Sequence, residues 1–204
     1  FGFPYPPLSL ALAWPGHALL GDLRYSEALA LVAALALMVS LGTEAALLAA
    51  GVLLLAPRLV FHLEQGWTEP FPMMLVALTV VTARRWTRWA WLPLGLLVAS
   101  KQHMVLAFAF APFLVSGCSR GPWATVSQAW PFLLKAVAVA AAVTLPLALL
   151  DVDAFIRSAV LLQLREPFRL DSLSLTRQLL AWGVPLEKQG AMAVSLAAGL
   201  LGLG

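Results

Sequence analysis

Three polar residues stand in the middle of an apolar run. Gly95 to Pro112 reads GLLVASKQHMVLAFAFAP, about long enough to cross a bilayer, and Lys101, Gln102 and His103 interrupt it. An ionisable side chain inside membrane-length apolar sequence is costly and by default marks a functional site. Two other clusters carry related groups. Glu64-Gln65-Gly66-Trp67-Thr68-Glu69-Pro70 follows closely on Arg58 and His62, and Leu164 to Ser172 contains Arg165, Glu166, Arg169 and Asp171. Arginine and lysine hold phosphates, and carboxylates orient cations or act on hydroxyl groups. Each cluster also has a bland reading as solvated loop charge, with the arginines paired to Glu166 and Asp171.

The surroundings of these clusters narrow the choice. Of 204 residues, 61% are hydrophobic and 11% charged, with a mean hydropathy of +0.88. Soluble domains carry roughly 25% charged residues, so a chain this apolar has no surface to offer water. The expectation is an all-α, polytopic transmembrane helical bundle of about seven to eight membrane segments, forming a single domain over 1–204. The net charge of +3 and pI near 9.5 would suggest nucleic acid in a soluble chain. Here the basic residues sit in short gaps between apolar runs, where they set topology, and no nucleic-acid partner is expected. The lone Cys118 excludes an internal disulfide and a cysteine metal site. His17, His62 and His103 have no ligand spacing, and no metal or cofactor is called for. Phe1 replaces an initiator Met and Gly204 falls inside an apolar run, so the chain reads as a fragment of a longer one. No charged region precedes the first apolar segment as in a signal peptide.

In chain order, Tyr5-Pro6-Pro7-Leu8 reads as an interfacial helix start, and Pro15-Gly16 is expected to kink or break that helix. Ser26 or Glu27 is expected to cap the next apolar helix, and Thr43 the one after it. Pro57 interrupts that run. Phe71 to Ala83 forms a span closed by Arg84-Arg85-Trp86-Thr87-Arg88, which the positive-inside rule places in the cytoplasm. Trp89 to Pro112 reads as two short helices meeting at Lys101 on the far side. Residues 151–188 form the longest polar stretch, an extracytoplasmic loop with an amphipathic helix over Ala154 to Leu164. Arg157, Arg165, Arg169 and Arg177 in it run against the positive-inside rule, and an anionic ligand such as phosphate would account for them. Counting spans leaves one conflict: residues 44 to 69 must enter and leave on one face, as a re-entrant pair broken at Pro57 would do.

Taken together, Tyr5-Pro6-Pro7-Leu8, the Glu64 to Pro70 loop, Gly95…Ala99-Ser100-Lys101-Gln102 followed by Pro112, and Pro167-Phe168-Arg169-Leu170-Asp171 occur in an order that resembles a family. They look like polyprenyl-phosphate-mannose-dependent mannosyltransferases and related members of the GT-C superfamily, over Tyr5 to about Ser174. The resemblance implies an inverting integral membrane glycosyltransferase of the plasma (inner) membrane. It would move a sugar, with mannose favoured, from a polyprenyl-phosphate donor to a hydroxyl of a glycan or glycolipid acceptor on the extracytoplasmic face. The catalytic base would lie in an outer loop ahead of Phe1. Lys101, Arg165 and Arg169 are the residues for neutralising the donor phosphate. Gln102 and His103 would hydrogen-bond sugar or phosphate oxygens, Glu64 and Glu69 would contact sugar hydroxyls or orient the cations, and Tyr5 would shape the entrance. The rival readings are a transporter or lipid-linked-sugar flippase, which would hold its polar groups near the midplane and commonly show repeats that this chain lacks, and a scaffold whose charges are all loop charges.

Overall fold

The computed structural model describes residues 5–115 and 122–162, together with 178, 179, 181–183 and 190. Among them there is no strand. The helices are α1 (Pro7–Leu20), α2 (Arg24–Ser40), α3 (Glu44–Leu55), α4 (Pro57–Gln65), α5 (Pro70–Arg85), α6 (Trp91–Ser100), α7 (Ala111–Val115), α8 (Pro122–Ala148) and α9 (Val152–Phe155). A 3-10 stretch, Gln102–Phe110, joins α6 to α7, and α9 runs on into a π-helical turn, Ile156–Leu161. The chain falls into two compact units, 1–163 and 164–204. In the second, the Trp182 amide donates to Gln178 O (3.0 Å) and Leu179 O (3.2 Å), closing a helical turn. Arg165, Arg169 and Arg177 lie outside the described residues.

One helical stretch among the described residues, Ala129–Ala148 in α8, is long and apolar enough to cross a membrane. The count rises to three if the bent pairs α1–α2 and α3–α4 are each taken as one span. The α3–α4 bend of 59° falls at Pro57, where proline denies the preceding turn its hydrogen bond. Thr43 caps α3 as expected, its Oγ1 accepting the Ala46 amide at 3.3 Å.

A break at Pro15 and a cap at Ser26 or Glu27 are both absent, for one reason. Helix α1 runs through Pro15 without a break, and α2 starts at Arg24, with neither Ser26 nor Glu27 as its cap. Ser26 is used elsewhere: its Oγ accepts the Gly16 amide at 2.7 Å and donates to Ala13 O at 3.2 Å. It thus repairs the turn that Pro15 weakens. The Arg24 amide is taken by Asp22 Oδ1 at 2.9 Å instead. Helices α1 and α2 meet at 119° through Gly21, whose φ of 77° suits only glycine without strain.

Contacts at the helix ends define two poles. At one, Ser9 Oγ donates to Ser100 O (2.6 Å) and Gly66 lies against Leu23. At the other, Arg85 donates to Ser40 O, so α2 and α5 run parallel and pack together, and α3–α4 carries the chain back from this pole to the first. Both the start of α1, at Ser9, and its second half, at Gly16, lie at the first pole. Helix α1 therefore does not carry the chain from one pole to the other. Gly42 sits at the arginine pole and Glu64 to Glu69 at the opposite one, so the bent α3–α4 pair passes between poles. The sequence-level conflict over residues 44–69 arose from counting α1 as a crossing.

The close approach of α6 to α8 holds the lysine-bearing segment in place. A Cβ at Gly95 would meet the Ala136 carbonyl oxygen and, at 2.7 Å, Val139 Cβ, whereas one at Gly51 in α3 meets nothing. Gly95→Leu should therefore lower the thermal midpoint of the detergent-purified protein by several degrees, about 1–3 kcal/mol of overpacking. Gly51→Ala should leave it unchanged or slightly raised. Equal melting of the two variants would refute the packing assignment.

Candidate functional site

Helix α6 ends at Ser100, whose Oγ turns back to Leu97 O at 2.6 Å while its carbonyl accepts from Ser9. Lys101 then adopts an extended backbone (φ −149°, ψ 146°), and the 3-10 stretch begins as the Met104 amide reaches Lys101 O at 3.0 Å. The break that the sequence led us to expect is therefore at Lys101 itself. Only 3% of Lys101 is exposed. Such a cation is tolerated in low dielectric only with a close partner. Glu69 supplies it, Oε1 standing 2.5 Å from Lys101 Nζ. The Tyr5 ring adds a cation–π contact, with Nζ 4.6 Å from its centroid. Three segments far apart in sequence, the entry to α1, the entry to α5 and the end of α6, thus meet on one charge.

The neighbourhood holds polar atoms without partners. Both carboxyl oxygens of Glu27, which is wholly buried in the first turn of α2, lack a hydrogen-bond partner, and so does the buried Thr68 Oγ1 beside Glu69. Among the described residues, Asp22, Arg24 and Glu69 are charged groups near Glu27. By sequence Glu27 is only a candidate helix cap. The signal was available: one acid opens an otherwise apolar helix, the pattern that singled out Lys101. A buried carboxyl with no donor is costly, and such groups concentrate where function maintains them.

The remaining predicted residues divide. Gln102 Nε2 donates to Ala159 O at 2.9 Å, tying the break at Lys101 to the π-helical turn after α9. His103 makes no hydrogen bond or ion pair with Lys101 or Glu69 and helps line an apolar cavity of about 540 Å³ with Thr79, Leu97, Met104, Phe110 and Phe113. Glu64 is exposed on α4 and has no ion-pair partner among the described residues. Of the predicted set, the structure brings together Lys101, Glu69 and Tyr5, with Gln102 adjoining through the backbone. Arg157, in the π-helical turn, is exposed.

Beside Glu64, an aromatic group forms around the α4–α5 turn. The Trp67 ring packs edge-on to Phe61 (5.4 Å) and tilted against His62 (5.1 Å), while Gly66 takes the left-handed conformation (φ 65°) that ends α4. This turn aims the following residues, Thr68 and Glu69, inward toward Lys101. No group of three or more metal-ligating side chains occurs among the described residues.

No family model, no curated protein and no solved structure matches this chain.

The ion pair and the orphan acid make opposite predictions for stability. Lys101→Met strands Glu69 beside a buried methionine and should destabilise the detergent-purified protein by about 1–3 kcal/mol, less than for a fully buried pair because Glu69 is part-exposed. The double variant Lys101→Met/Glu69→Met should recover much of that loss. Glu27→Leu should raise the thermal midpoint, since it removes an unpaired buried carboxyl. A destabilised Glu27→Leu protein would show that its carboxyl has a structural partner.

Proposed function

We propose that this chain is the membrane-embedded part of a glycosyltransferase that uses a polyprenyl-phosphate sugar, with mannose favoured, and acts at the extracytoplasmic face. The observation that carries the reading is the buried Lys101 cation, held at a helix break by Glu69 and Tyr5. The arginine loop after α5 sets the orientation. It lies at the pole where Arg85 reaches Ser40, and the positive-inside rule makes that pole cytoplasmic. Lys101 and Glu69 then face outward, about 24 Å away along the 16 residues of α5. On this topology α2, α3–α4, α5, α6, residues 102–115 and α8 each pass between the two faces, and α1 lies along the outer one.

In the reaction, an acceptor hydroxyl oxygen attacks the sugar's anomeric carbon from the face opposite the phosphate. The C–O bond to phosphate breaks as the new glycosidic bond forms, which inverts the centre. The bonding pair leaves with the phosphate oxygen, and the hydroxyl proton passes to a carboxylate base that the family resemblance puts ahead of Tyr5. Lys101 stabilises the charge that grows on the phosphate, a role for a preorganised cation in a site sheltered from water. As the phosphate takes Lys101, Glu69 is freed to accept hydrogen bonds from sugar hydroxyls. The apolar cavity lined by His103 offers the isoprenoid chain a place beside its phosphate. A transporter would hold its charged groups near the middle of the membrane, and a site at one end of α5 argues against that alternative.

The test is transfer from radiolabelled polyprenyl-phosphate-mannose to mixed lipid acceptors in membranes carrying the protein. A labelled product should form, and Lys101→Ala should reduce its rate by about 10²–10³-fold, the loss expected of one transition-state charge contact. Lys101→Arg should retain an intermediate rate. If Lys101→Ala transfers at the parental rate, the phosphate assignment is wrong. If no polyprenyl-phosphate sugar gives product, the transferase reading is wrong.

A further inference from the structure

The opposite pole contains a second cleft, distinct from the Lys101 site. Near the point where Arg85 meets Ser40, helices α2, α3 and α5 leave a cavity of about 500 Å³ between them. Its walls are Met38 of α2, Leu41 just past the end of α2, Ala46 and Ala49 of α3, and Val76 and Val80 of α5, with Arg84 as its one charged lining residue. Thr43, also on the lining, has its hydroxyl engaged in capping α3.

The three arginines of this pole have different duties. Arg85 donates to the Ser40 carbonyl, and Arg88 lies over the Trp89 ring, 5.8 Å from its centroid. Arg84 has neither an ion pair nor a hydrogen bond among the described residues. Glu44 is the acid nearest in sequence to the cleft, and it lines a separate apolar depression on α3 with Leu48, Val52 and Leu55. The cation on the cleft therefore has no carboxylate of its own there. Trp86 and Trp89, 57% and 49% exposed, follow Arg84 in the same turn and supply the ring chemistry of a membrane–water boundary.

We propose that this cleft is a binding site for an anionic phospholipid of the cytoplasmic leaflet. One acyl chain lies between α2, α3 and α5, and the headgroup phosphate rests on the Arg84 guanidinium. The chemistry fits on both counts. The walls are apolar, as a hydrocarbon chain requires, and guanidinium is the side chain best matched to a phosphate's paired oxygens. Basic pockets between transmembrane helices on the cytoplasmic side recognise anionic headgroups in this way. The lipid would also wedge α3, which is otherwise thinly packed, against α2 and α5. The inference rests on the membrane orientation proposed above and is independent of any transferase activity.

The experiment is native mass spectrometry of the protein released from nanodiscs of equimolar phosphatidylglycerol and phosphatidylcholine with identical acyl chains. The parent should retain phosphatidylglycerol several-fold over phosphatidylcholine. Arg84→Gln, a change at an exposed position that leaves the core untouched, should abolish that preference, and Arg84→Lys should keep part of it. Ala46→Phe, which fills the cleft but keeps the charge, should reduce retention of both lipids. Arg85→Gln should keep the preference for phosphatidylglycerol. Equal retention of the two lipids by the parent, or an unchanged preference in Arg84→Gln, would overturn the proposal while leaving the membrane reading intact. A protein that fails to enter nanodiscs would overturn both.

Discussion

The architecture depends on keeping one ammonium group out of water. Lys101 is almost fully buried, and an isolated charge in such a place would cost several kcal/mol even after the surroundings relax. Everything near it answers that cost. Glu69 can reach it because Gly66 turns the chain sharply after α4 and starts α5 with a carboxylate in place. Tyr5 can cover it because paired prolines begin α1 just behind the ring. Lys101 itself can reach across because α6 stops one residue earlier, its last carbonyl satisfied by Ser9. Remove the charge and these devices lose their common purpose.

Helix α1 has the most unusual part in this arrangement. It is an apolar 14-residue helix, and its sequence says nothing of its course. Its path follows from two serines. Ser9 fixes its first half to the end of α6, and Ser26 fixes its second half to the start of α2, so both halves stay at the Lys101 pole. A helix held at two points along one face acts as a strap over the ion pair.

Much of this was legible in the sequence, by identifiable routes. Composition demanded helices, and the break at Lys101 followed from three polar residues in an apolar run. Pro57 and Thr43 announced a bend and a cap through local chemistry that tertiary contacts did not override. The failures are equally specific. Pro15 alone predicts a kink or a break, and the break is absent because a hydroxyl ten residues on takes over the exposed Gly16 amide. The same contact withdraws Ser26 from capping α2. Glu27 was passed over because acids are common in first turns, where they favour the helix dipole, and only burial distinguishes this one from them. The partnership of Lys101 with Glu69, 32 residues apart, was within reach only as proximity on one face.

The strength of the ion pair bears on how a transferase would use it. A polyprenyl-phosphate sugar is a phosphodiester with a single negative charge, whereas the departing polyprenyl phosphate is a monoester that approaches two. Lys101 already has a carboxylate at 2.5 Å, so the diester must displace a partner of equal charge and gains little by doing so. As the anomeric bond breaks, the phosphate outbids Glu69 by the extra charge. Lys101 then favours the transition state over the bound donor, which is the condition for an interaction to raise a rate and not merely to tighten binding. A lysine without a counter-ion would hold the donor more tightly from the outset and leave less of its attraction for the step that matters. In the proposed transferase, Glu69 would thus serve by competing with the substrate.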